Sequence, residues 1–110
     1  NQDAAEGREM AIKEIEQNTD RLSDDIIRLE EEKAVLEKSI DAMFDAVKNL
    51  DTMWDGPANE AFRAQFQTDY QTCLEMNKTL GILIGKLRKA REEYDKCESE
   101  VENLVRAIRI

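Results

Sequence analysis

The chain has 110 residues, 41% of them apolar, 37% charged and only 5% aromatic, with a formal net charge of −9. That is one domain's worth of sequence, too poor in large side chains for a broad globular core and too apolar for a disordered chain, so long helices that each bury a narrow stripe fit it best. The acidic excess argues against nucleic acid, whose phosphates select Lys and Arg, and against anionic membrane surfaces.

From the N-terminal side, Ile12, Ile26, Ile40 and Val47 fall on one seven-residue repeat, with Thr19 and Lys33 in its intervening slots and Trp54 at its end. Three positions on from these slots stand Ile15, Leu22, Leu29, Leu36, Met43 and Leu50. Two apolar rows at that spacing predict an amphipathic helix over about 8–53 with an a/d seam. Only Thr19 and Lys33 are out of character.

The next segment, Trp54-Asp55-Gly56-Pro57, holds the only proline of the chain. Gly56 can adopt a left-handed conformation after a helix end at little steric cost. Pro57 disfavours helical geometry in the residue before it and suits the first turn of a new helix. Residues 54–57 are therefore expected to form a turn.

A second helix is expected over about 58–108. One row runs through Asn59, Phe66, Cys73, Leu80, Leu87, Tyr94, Val101 and Ile108, and the other through Phe62, Asp69, Met76, Leu83, Ala90, Cys97 and Leu104. Both cysteines fall on apolar slots of one helix, about 36 Å apart along its axis. That is too far for a disulfide, so buried free thiols are expected. With no histidine and no close cysteine pair, a metal site is not expected. The most apolar stretch, Leu80 to Gly85, is far short of the ~20 residues of a membrane span, and no signal peptide is recognisable.

Two amphipathic helices of nearly equal length joined by a short turn make an antiparallel hairpin, an all-α fold with 1–110 as a single domain. Its flanks carry further apolar residues, among them Ile27, Phe44, Tyr70, Ile84 and Val105. A second hairpin could cover them, giving an elongated four-helix bundle, as homodimer or heterodimer. Gly81 and Gly85 lie one turn apart on the expected outer face, as a weak point or a close backbone contact.

Trp54-x-Gly56 at a hairpin turn and Tyr94-x-x-x-Glu98 late in the second helix, in a small acidic helical chain, resemble the WXG family. The resemblance covers nearly the whole chain. It implies a substrate of the type VII (ESX or Ess) secretion system, without enzymatic activity or cofactor. Such a protein is exported folded as a dimer, is recognised by the secretion ATPase and serves virulence or interbacterial competition. In the family the tyrosine-acid motif is part of the export signal, which places Tyr94 and Glu98 in that role. The protein would be cytoplasmic before export and then secreted without a cleaved signal peptide. Two alternatives stay open: an obligate helical partner of a larger toxin's N-terminal domain, and an unrelated cytoplasmic coiled-coil protein.

Helical rise sharpens the dimer. Tyr94 stands about 57 Å from the tip, so two hairpins overlapping antiparallel by that length would set Trp54 of one beside Tyr94 and Glu98 of the other. A similar overlap, near 53 Å, would align Lys33 with the partner's Asp69 as a register pair. The plainer reading is that Lys33 extends its ammonium to solvent and Asp69 points to water. Catalysis is not expected: no nucleophile–base pair, phosphate loop or concave pocket is legible.

Overall fold

In a computed structural model, which describes residues 2–51, 53 and 55–109, the chain is an antiparallel helical hairpin. Helix α1 runs from Gln2 to Asp51 and helix α2 from Pro57 to Arg109, and the described residues include no strand. Asp3 in the first turn of α1 and Lys48 in its last complement the helix dipole, as Glu60 does at the start of α2. The first helix begins about six residues earlier than the sequence pattern suggested. Gly7 lies inside it with open space where a Cβ would go, so it neither breaks nor crowds the helix.

The reversal is built from few parts. The Met53 amide donates to the Leu50 carbonyl at 3.0 Å, closing the end of α1. Gly56 has φ +109°, a conformation that side-chain-bearing residues seldom adopt. Its carbonyl accepts the amides of Asn59 (3.1 Å) and Glu60 (3.2 Å), so Gly56 caps α2 and Pro57 takes the first helical position.

Contacts divide the chain into two compact units: a tip unit, Leu29–Leu83, and a distal unit, Asn1–Arg28 with Ile84–Ile110. In the tip unit Ile40 is buried and Phe44 lies against Tyr70, ring centroids 5.1 Å apart. Phe62, Phe66 and Tyr70 follow one another up α2 at 6.5 and 5.8 Å. In the distal unit Ile26 (1% exposed), Ile84 and Val105 are buried apolar residues. Thr19, the polar slot of the α1 repeat, is buried there and donates its hydroxyl to the Ile15 carbonyl at 2.9 Å, which satisfies it within its own helix.

Helix α1 turns inward the two rows expected of it as far as Val47; Leu50, at the end of the second row, is exposed. Helix α2 departs from its expected rows. Its inward face keeps the row through Phe66, Cys73, Leu80 and Leu87, but the second row is Tyr70, Asn77, Ile84, Arg91, Glu98 and Val105. Ile84 and Val105, expected on the flanks, are core residues at 4% and 6% exposure. The expected row is turned out, with Met76 61% and Leu104 62% exposed. Cys97 belongs to that row and is exposed, whereas Cys73 is partly buried; both thiols are free, so the expectation of two buried cysteines holds for neither fully. The difference is one of roll. Rows three and four residues beyond Cys73 lie on either side of it, so a rotation of α2 by roughly 50° exchanges one for the other.

Candidate functional site

Trp54 lies outside the described residues, and its partner in the turn motif, Gly56, is the exposed cap of α2. Tyr94 is exposed, beside Ala90, Glu93 and Cys97 around a shallow depression on α2. Its place in the heptad row would bury the ring in part, but the roll of α2 turns it out. Glu98, one turn on, instead faces α1 and is partly buried. The two residues of the candidate signal stand one turn apart on adjacent stripes of the helix, about 40° apart: an exposed ring, and a partly buried carboxylate at the edge facing the neighbouring helix.

Glu98 meets Glu16 of α1 and Glu102 of its own helix, with carboxylate oxygens all within 4.8 Å of one another. Burial pushes the Glu98 carboxyl above the usual carboxylate range, helped by the charge and hydrogen bond of Glu16 and by the nearby Glu102 and Asp95. Three carboxylates offer hard oxygen donors of the kind a divalent cation takes, though fewer than the six to eight typical of Ca²⁺.

Lys33 and Asp69 are not brought together within the chain. Asp69 is exposed and accepts a hydrogen bond from Gln65 at 3.0 Å, one turn earlier. Lys33 pairs with Glu37 one turn on, and its stem crosses α2 at Gly81, where a Cβ would lie only 3.3 Å from Lys33 Cε. Glu37 also accepts the Asn77 side-chain amide at 3.1 Å, linking the two helices. Hydrogen bonds from Lys33 and then Asn77, with the Lys33 charge, hold the Glu37 carboxyl below the usual range. The Asn77 carbonyl oxygen is buried without a hydrogen-bond partner, a cost of about 1–3 kcal/mol in general. The sequence pattern missed this cluster because it put Asn77 outside the seam. The signal was there: Asn77 and Gly81 share a face with Tyr70 and Ile84.

Along one side of the same unit, Leu36, Met76, Leu80 and Leu83 line an open groove of about 520 Å³, with Thr72, Glu75 and Thr79. Its floor is aliphatic, and its chemistry is suited to packing against another apolar surface. No family model, curated protein or solved structure matches the chain. Among the described residues, no helix is long and apolar enough to cross a membrane.

Proposed function

We propose that the chain is a non-enzymatic substrate of a type VII secretion system, exported folded as a dimer of hairpins and able to escort a co-secreted effector. The observation that carries the reading is the exposed apolar row of α2, Met76 and Leu83, beside Leu36. Large side chains grouped on one exposed face mark an interaction surface. A second copy of the hairpin offers the same aliphatic row in return, and two such layers face to face make a four-helix bundle. The motifs Trp54-x-Gly56 and Tyr94-x-x-x-Glu98 tie that bundle to export. The exposed Tyr94 ring is accessible to a secretion ATPase.

Two measurements test the reading. Sedimentation equilibrium is expected to show a dimer that Met76→Glu with Leu83→Glu converts to a helical monomer. A poorly folded wild-type monomer points instead to an obligate toxin partner on the same face. Secretion from the native host is expected to fall at least tenfold in Tyr94→Ala and in Glu98→Ala, with the circular dichroism spectrum kept. Unchanged secretion of both variants overturns the export assignment and leaves an intracellular coiled-coil protein.

A further inference from the structure

Hydrophobicity alone does not choose the observed roll of α2 around its midpoint. There the inward face carries Asn77, while Met76 and Leu83 are exposed. A roll of roughly 50° would bury Met76 and Leu83 against α1 and turn out Asn77 and Ile84; Leu83 and Ile84 are of like size, so the net apolar gain is Met76 in place of Asn77. Tyr70 against Phe44 favours the observed roll nearer the turn, where the rolled helix would bring in Asp69. At the level of Met76 and Asn77 a different contact must offset the apolar gain.

That contact is polar and spans the hairpin. Lys33 is the one charged residue of the α1 repeat, and it pairs with Glu37 while its stem lies in the notch left by Gly81. Glu37 in turn accepts from Asn77. Both links are lost if α2 turns, because Gly81 leaves the Lys33 stem and Asn77 leaves the Glu37 carboxylate. Glu37 is exposed and Lys33 and Asn77 are partly buried, so the contact lies at the edge of the apolar seam; a polar contact there adds little stability but is made in one roll and not in the other, as polar positions select register in coiled coils.

The geometry points to a roll clamp: Lys33, Glu37, Asn77 and the Gly81 notch hold α2 turned so that Met76 and Leu83 face outward. That the outward row meets a second copy rests on the proposed function; the clamp itself concerns one chain. The clamp keeps the more apolar row available where an unclamped hairpin would bury it on itself.

Maleimide labelling of a cysteine at position 76 reads the roll directly, in a chain with Cys73→Ala, Cys97→Ser and Met76→Cys. At dilutions where labelling no longer depends on protein concentration, the clamped chain is expected to label rapidly. Glu37→Ala and, independently, Gly81→Leu are expected to slow labelling at least fivefold, while Glu37→Gln, which keeps an acceptor for Asn77, stays within twofold. Equal rates in all four chains overturn the clamp, as does loss of helicity in both disruptive variants, since a device that sets only roll leaves the helices formed. If Glu37→Ala alone loses helicity, Gly81→Leu decides. Failure of the dimer reading has a separate signature: labelling of the clamped chain that is independent of concentration throughout.

Discussion

Among the four glycines, two positions make opposite demands. Gly56 has φ +109° with nothing near its Cα, so a side chain there is opposed by the backbone and not by neighbours. Gly56→Ala is expected to cost about 1–2 kcal/mol, read as a lower denaturant midpoint at unchanged slope. Gly85 lies inside α2 with open space where a Cβ would go. Gly85→Ala is expected to stabilise the hairpin by roughly 1 kcal/mol in the same measurement, through helix propensity. Gly81 would gain the same propensity, but there the Lys33 stem must give way. Two glutamates set an opposed pH response. Glu98 has its folded pKa raised, so the native state takes up its proton before the unfolded chain does, and stability rises as pH falls from neutral through that raised value. Glu37 has its folded pKa lowered, so its contribution is present above the ordinary carboxylate pKa, about 4.3, and is lost as pH falls through the folded value. Thermal unfolding followed by circular dichroism is expected to give a Tm maximum in mild acid, with the rise from neutral pH reduced in Glu98→Gln and the fall in stronger acid reduced in Glu37→Gln.

At the scale of the helix, burial separates residues that the heptad pattern treats alike. Ile84 and Met76 are both large and apolar, yet Ile84 is in the core and Met76 is largely exposed. Ile84→Ala is expected to destabilise by about 2–3 kcal/mol, toward the low end for core truncations because a two-helix seam can partly collapse. Met76→Ala is expected to change the unfolding of the isolated hairpin by less than about 0.5 kcal/mol. The reverse order would mean that α2 is rolled the other way in solution. Facing pairs in the tip unit fit one register: Phe44 with Tyr70, Glu37 with Asn77 and Lys33 with Gly81 share one sum of residue numbers. Within that unit neither helix interrupts the pairing with an inserted residue.

For the whole molecule the governing quantities are an excess of nine negative charges and an apolar row on the outside of α2. Bringing two copies together adds apolar burial and like-charge repulsion at once. Salt screens the second and leaves the first. Self-association measured by sedimentation is therefore expected to tighten between about 0.05 and 0.5 M NaCl. Weakening over that range would mean that complementary charges, not the aliphatic groove, hold the copies together.

Period and punctuation were legible without coordinates. The seven-residue rows of α1, the reversal at Gly56-Pro57 and the all-helical hairpin follow from local rules: apolar spacing, a residue free to take positive φ, and a proline at the first helical position. The inward face of α2 was half legible, because the row through Cys73 and Leu80 belongs to either roll. Which second row joins it depends on what α1 presents opposite, and those partners stand tens of residues away in sequence, 40 between Glu37 and Asn77. Tertiary contact alone decided that Glu98 meets Glu16, that Tyr94 and Cys97 face outward, and that Met76 is exposed. A helix's own sequence fixes which residues share a stripe, but only its neighbour fixes which stripe is buried.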